Sequence, residues 1–363
     1  MISYNNVILN FIDMKIHIKT LFLLLSFLTG SFPLTSCNTE EKTSSEFRGL
    51  WLHTGLFSLD EDRAKIQIDS LFDMYKEVGI NNLFCYNAMK GENDFSWDYL
   101  QTLIDKGHAR GIKIHPIFYP GYTINLEKEK AKNPEWLIRD MEGNYLPHLN
   151  LANPEVRDFW VNRIKEAMKY DIDGIHLDYI RFPTTQVYSY DSLTCSAFKN
   201  EYGYSPIEVY HDCGSMIWCE WIKWNSRQVT LLVSEISRAV KSSGKKLLLG
   251  ADVFPDLETA KILIAQDWGQ WAQSGLVDFI CPMTYTNNLE LLKEYIQNAK
   301  YASQNKCQVY PGIGVLSAHN KITKELIVKE VLLTRELGTK GMVFFSGNSF
   351  NKEMRDTLKV SVF

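Results

Sequence analysis

From Phe47 almost to the end of this 363-residue chain, short apolar runs alternate with amphipathic stretches, and that alternation predicts an α/β fold, a (β/α)8 or TIM barrel. The count supports it: eight strand-like runs with helices between them over roughly 300 residues suit a barrel better than a doubly wound sheet. In addition, no glycine-rich phosphate loop follows the first run, as an open nucleotide-binding sheet would require.

What precedes the barrel reads as an export signal. Lys15 and Lys19 form a short basic region, residues 20–28 are almost wholly apolar, and Leu34-Thr35-Ser36-Cys37 follows. The order is that of a secretory signal, too short and wrongly flanked for a membrane span. Its last four residues match the bacterial lipoprotein processing box, so residues 1–36 are expected to be a lipoprotein signal peptide and Cys37 the lipidated N-terminus. Residues 37–46 then form a polar tether, residues 47–350 the barrel and residues 351–363 a C-terminal tail. The expected location is the bacterial cell envelope, lipid-anchored to the outer membrane and periplasmic or surface-exposed.

The expected strands begin at Arg48 (RGLWLHT), Asn82 (NLFCYNA), Ile112 (IKIHPIFY), Asp173 (DGIHLDYI), Lys246 (KLLLGADVF), Val277 (VDFICPMTY), Gln308 (QVYPGIGV) and Gly341 (GMVFFSG). Helical periodicity covers residues 63–78, 97–110, 154–170, 217–243, 289–304 and 324–337. Capping residues agree: Asn153-Pro154 opens one helix, and Gly79, Gly111 and Gly338 close others. Two connections, residues 120–151 and 183–216, are long and follow strand C-termini, so both should rise over the barrel mouth.

A net charge of -4 offers nucleic acid no electrostatic footprint, and no nucleic-acid partner is expected. The seven cysteines contain no CxxC pair and no histidine cluster joins them, so neither a metal nor another cofactor is expected. Cys85, Cys281 and Cys307 read as buried small hydrophobes, whereas Cys195 and Cys213 share one long loop and could pair in an oxidising compartment. Trp218, Trp221 and Trp224 fall at helical spacing and read as packing.

The most informative stretch is DGIHLDYIRFP, residues 173–183. On a strand, Ile175, Leu177 and Tyr179 share one face while His176 and Asp178 share the other. A polar inner face in a parallel barrel points to chemistry at the C-terminal mouth. Alternation in the next strand groups Leu248, Gly250 and Asp252, so Asp252 ends that strand much as Asp178 ends its own. The structural alternatives are a buried aspartate held by Arg181 or a backbone amide for Asp178, and a helix cap or loop ligand for Asp252. Asp173 and Asp278 start strands, at the barrel bottom, and read as structural.

Three segments carry a family resemblance: EFRGLWLHT (46–54), LNLANPEVRDFWVNRIKEAMKYDIDGIHLDYIRFP (149–183) and DWGQWAQSGLVDFICPMTYT (267–286) resemble the glycosyl hydrolase-like 10 family. The similarity spans Glu46 to Ser349. In HPIFYPGY (115–122), His115 matches the family pattern and the residues after it depart from the HAW-type segment of relatives. That family is similar to barrel glycosidases, includes many bacterial lipoproteins, and has members that cleave peptidoglycan glycan strands.

The resemblance implies a glycoside hydrolase that cleaves O-glycosidic bonds of an envelope or imported glycan, possibly peptidoglycan strands, with a pair of carboxyl groups. By analogy with α-amylase-type barrels, Asp178 is the expected nucleophile or charge stabiliser and Asp252 the general acid/base. His176, one layer deeper, could hydrogen-bond a carboxylate, a sugar hydroxyl or simply the core. His53, His115, Tyr285, Trp51, Tyr119, Asn150 and Trp268 are further candidate sugar contacts. The alternative is a non-catalytic carbohydrate-binding lipoprotein on the same barrel. A metal-dependent amidohydrolase would need an HxH pair on the first strand, where WLHT offers only His53.

Overall fold

A computed structural model describes residues 46–363 other than 123–124, 185–187 and 210–214. The expected signal, the lipidated Cys37 and all but the last residue of the tether therefore lie outside the described residues, as does Cys213, the suggested partner of Cys195.

Parallel strands β1 (Phe47–Leu52), β2 (Asn82–Cys85), β3 (Lys113–Phe118), β6 (Gly174–Leu177), β7 (Leu248–Val253) and β8 (Phe279–Pro282) pair in that order, and β11 (Gly341–Phe345) pairs with β1. Between β8 and β11 runs one stave in two pieces, β9 (Gln308–Val309) against β8 and β10 (Gly312–Gly314) against β11. Pro311 divides them because it has no N–H for the ladder. Tyr310 N still donates to Ile280 O at 3.0 Å and Pro311 O still accepts from Val343 N at 3.0 Å, so the ring of eight staves closes.

All eight strand-like runs of the sequence become staves. The six expected helices form as α1 (Glu61–Glu77), α2 (Tyr99–His108), α4 (Pro154–Ala167), α7 (Met216–Ser242), α10 (Leu289–Ser303) and α11 (Lys324–Glu336), set around α3 (Leu126–Lys132), α5 (Ser192–Tyr202), α6 (Pro206–Val209), α8 (Leu257–Ile264) and α9 (Trp268–Gln273). Asn153 caps α4 by accepting from Glu155 N, and Gly79, Gly111 and Gly338 take the left-handed conformation after their helices. The long connection after β3 contains a hairpin, β4 (Leu137–Arg139) and β5 (Tyr145–Leu149), and the one after β6 contains α5 and α6. The stretch expected as a tail is helix α12 (Lys352–Ser361), docked through buried Met354 and Leu358.

Two apolar layers hold the barrel. Leu50, Leu83, Ile175, Leu177 and Ala251 face outward under the helices, while Phe47, Trp51, Phe84, Ile117, Phe279, Cys281, Tyr310 and Val343 fill the interior. The interior is aromatic: Phe47 stacks on Tyr310 with centroids 4.2 Å apart, and Phe84 on His176 at 4.1 Å. Gly250 makes room for this, since a Cβ there would meet Phe279 Cζ at 2.1 Å. Trp221 and Trp224 stack at 5.5 Å as packing residues, and Cys85, Cys281 and Cys307 are buried free thiols.

Candidate active site

Register sets the site. Leu177 pairs with Ala251 on adjacent β6 and β7, so the next position on each strand brings Asp178 beside Asp252, both turned inward at the C-terminal end of the barrel. Both are buried. Asp178 N donates to Phe118 O at 2.8 Å, which carries the ladder one residue past β6, and Tyr179 then turns the chain at a φ of 46°.

The two carboxyl groups have different surroundings. Asp178 accepts from Tyr86 Oη at 2.8 Å, from Tyr179 N at 2.6 Å and, at 3.4 Å, from Arg181 Nη1. Both of its oxygens are therefore engaged by donors. Asp252 accepts from Trp51 Nε1 at 3.0 Å and meets His176 Nε2 at 2.8 Å. Burial, then the negative charge of Asp178, push the Asp252 carboxyl well above the usual carboxylate range, against the Trp51 N–H and the Arg181 charge, which pull it down.

Burial holds His176 down at about 3, so it is neutral, and its contact with Asp252 is a hydrogen bond rather than an ion pair despite the 2.8 Å approach. Nδ1 of His176 is buried and has no partner among the described residues. The strand end of Asp252 is fixed as well: Gln266 Nε2 donates to Asp252 O at 3.1 Å while Gln266 Oε1 accepts from Phe254 N at 2.8 Å.

Beside the pair opens a cavity of about 820 Å³ lined by Tyr179 and Arg181 after β6, Phe254 after β7, and Met283 and Tyr285 after β8. His148 of β5 lines it too, so the hairpin contributes one wall. Tyr285 stacks on Phe345 at 5.1 Å, and its phenol is pushed well up by burial and by both aspartates.

The other predicted site residues divide by depth. His53 lies at the mouth, half-buried and stacked on Tyr86 at 4.4 Å. Tyr119 is half-buried and donates to Asn87 Oδ1. Four expectations of sugar contact are corrected. Trp51 is 1% exposed and supports Asp252 with its N–H instead of offering a ring face. His115 is fully buried among interior rings, bonded to Asn82 Oδ1 at 2.9 Å, because it sits two inward-facing positions below Tyr119, with Ile117 between them. Asn150, fully buried, donates to Asp191 Oδ2 and Thr194 Oγ1 and accepts from Ala152 N, pinning the hairpin exit to α5. Trp268 starts α9 and is fully buried in the outer core.

Sequence reasoning missed Tyr86, although the alternation Asn82, Phe84, Tyr86 places it on the inner face at the strand end. Asp173 and Asp278 are structural as expected, accepting from Ile114 N and Leu249 N at the barrel bottom. Ligand atoms of His176, Asp252 and Cys281 gather within 4.8 Å of one another. Nε2 of His176 is already engaged by Asp252 in this group.

Residues 80–328, more than half of the chain, match the family model described as glycosyl hydrolase-like 10. The chain belongs to the glycosyl hydrolase-like 10 family. Membership gives the class of reaction, hydrolysis of glycosidic bonds. This glycosyl hydrolase-like 10 protein is similar to the glycosyl hydrolase DigH of Escherichia coli strain K12, 22% identical over 311 residues that cover 68% of this chain and 67% of that one. Among solved structures, the PgaB (BpsB) glycoside hydrolase domain from Bordetella bronchiseptica superposes with a TM-score of 0.70 at 10% identity, covering 88% of this chain and 99% of that one. The α-L-fucosidase isoenzyme 2 from Paenibacillus thiaminolyticus superposes with a TM-score of 0.62 at 15% identity, over 86% of this chain and 48% of that one. At such identities these likenesses establish the fold.

Proposed function

We propose that this glycosyl hydrolase-like 10 protein cleaves O-glycosidic bonds of a cell-envelope or imported glycan, peptidoglycan strands being the first to try, with Asp252 as general acid/base and Asp178 as nucleophile or charge stabiliser. One observation carries the reading: two carboxyl groups stand side by side on adjacent strand ends in different surroundings. Asp178 is ringed by donors, while burial and the neighbouring charge push the Asp252 carboxyl up. A glycosidase needs that division, a proton for the leaving oxygen and an anion for the developing oxocarbenium charge.

In this reading Trp51 and His176 orient the acid, and Tyr86 orients the anion. His53, Tyr119 and Tyr285 stand at the rim, where a sugar ring could reach them. The envelope setting rests on the sequence alone: the apolar segment of residues 20–28 and the processing box ending at Cys37 support a lipid-anchored protein.

Product analysis tests the proposal. The protein is incubated with peptide-free peptidoglycan strands and a polysaccharide panel beside Asp178→Asn and Asp252→Asn. New oligosaccharides from the parent, lost in both variants, are expected. If a panel member binds all three proteins equally and none cuts it, the chain is a binding module for that ligand and the catalytic assignment is wrong.

A further inference from the structure

Arg181 is more elaborately held than a partner for Asp178 needs to be. Its side chain is 10% exposed and its guanidinium carbon lies 4.3 Å over the Tyr179 ring and 5.1 Å from the Phe254 ring centre. Among the described residues its single polar contact is the 3.4 Å approach to Asp178 Oδ1, an oxygen already taken by Tyr179 N at 2.6 Å. A guanidinium has five N–H donors in a planar fork, so most of this one is uncommitted.

The backbone beneath it is fixed. Gly121 N donates to Tyr179 O at 2.9 Å, and a Cβ on Gly121 would meet the carbonyl oxygens of Arg181 and Tyr179 at 2.2 and 2.4 Å. Only a residue without a side chain lets this loop clamp the 179–181 turn.

Among the described residues that line the cavity with Arg181 there is no carboxylate, in a chain whose net charge is -4. Two histidines line it with Arg181, His148 and His319. Nδ1 of His148 is buried without a partner among the described residues, and burial and the Arg181 charge hold this imidazole down at about 4, so it meets a ligand as a neutral group. A guanidinium held over aromatic faces, whose acidic neighbour Asp178 meets only Nη1 at 3.4 Å, with a neutral imidazole on the same cavity, can receive a second anion on the rest of its fork.

We propose that Arg181, with His148, forms a subsite for a carboxylate carried by a sugar of the glycan, which makes the ligand class acidic oligosaccharides. The inference rests on the reading of the site as a glycan cleft, though not on cleavage. A carboxylate could belong to a uronic acid ring or to an ether-linked side group such as the lactyl arm of peptidoglycan strands. The chemistry at the guanidinium is the same for both.

Calorimetric titration of the full protein tests it, with oligogalacturonate and peptide-free peptidoglycan strands each set beside its carboxyl-reduced, neutral counterpart. At least one acidic ligand is expected to bind about tenfold or more tightly than its reduced form, with the preference weakening as salt rises. Which arm shows the preference identifies the carboxylate. Arg181→Met should abolish the preference, Arg181→Lys should keep part of it, and His148→Gln should reduce it. Equal binding of acidic and reduced forms by the parent in both arms overturns the proposal without recourse to any variant. So does a preference that survives in folded Arg181→Met. Acidic preference without new reducing ends would sink the hydrolase reading and leave the subsite standing.

Discussion

Replacing Asp252 by asparagine should make the protein more stable while removing its chemistry, and the gain should grow with pH. The native carboxyl lies well above its ordinary value because it is buried beside Asp178. A carboxyl whose folded pKa is raised contributes its full stability below the unfolded value of about 3.9 and loses it as pH rises toward the folded pKa. Over that interval the unfolded chain releases a proton that the native state keeps, at a cost of about 1.4 kcal/mol per pH unit. Asparagine does not titrate. With its oxygen turned to accept from Trp51 Nε1, its NH2 faces His176 Nε2 and can donate to it, so both contacts are retained.

At about 2.1 cal/mol/K of unfolding entropy per residue, the barrel from Glu46 to Phe363 shifts its Tm by about 1.5 °C per kcal/mol. The Tm gap between Asp252→Asn and the parent should therefore be near zero at pH 4 and widen by about 2 °C per pH unit, reaching a plateau once native Asp252 ionises. Calorimetric melts at pH 4 to 8 give the curve. The buried histidines titrate in both proteins and largely cancel. A gap that is flat with pH, or a variant less stable than the parent at pH 7, would refute a protonated Asp252 and with it the division of labour between the two aspartates.

Three further perturbations separate support from chemistry. Trp51→Phe removes a donor that favours the ionised acid, so the basic limb of the pH-rate profile should move upward, with a stability loss of about 1–3 kcal/mol in denaturant titration. Tyr86→Phe keeps the ring on His53 but deletes the hydrogen bond to Asp178, and kcat should fall about 10- to 100-fold with KM little changed in steady-state kinetics. Asn150→Ala breaks three buried hydrogen bonds and should cost about 2–4 kcal/mol in unfolding free energy while leaving kcat/KM of the folded protein intact.

The barrel was legible because each stave is a short apolar run bounded by turn residues, and strand alternation alone placed Asp178 and Asp252 on the inner face. Pairing partners were not legible. His176 was expected to lie one layer below Asp178, and its bond runs across to the neighbouring strand, a contact that register decides and spacing cannot show. Trp51 and His115 were read as sugar contacts because an aromatic or imidazole near a strand end looks the same in sequence whether it faces the mouth or lies deeper, and Trp268 because a tryptophan between two strands looks the same whether it rises over the mouth or packs in the outer core. Asn150 was misread for a different reason: its partners Asp191 and Thr194 lie about forty residues away. Tyr86 carried a usable signal, the same period of two that marked Asp178.

The proline in the seventh stave gives the barrel a seam. On either side of Pro311 only two or three residues are in regular pairing, as few as the two pairs between β3 and β6, whereas β6 and β7 share four consecutive pairs. Local opening starts where few ladder bonds must break together, so amides flanking Pro311 should exchange faster than those of β7. The seam lies two staves from β7 and three from β6. The side of the wall where Tyr285 and His319 border the cavity can therefore open locally while β6 and β7 keep the four pairs that set Asp178 beside Asp252.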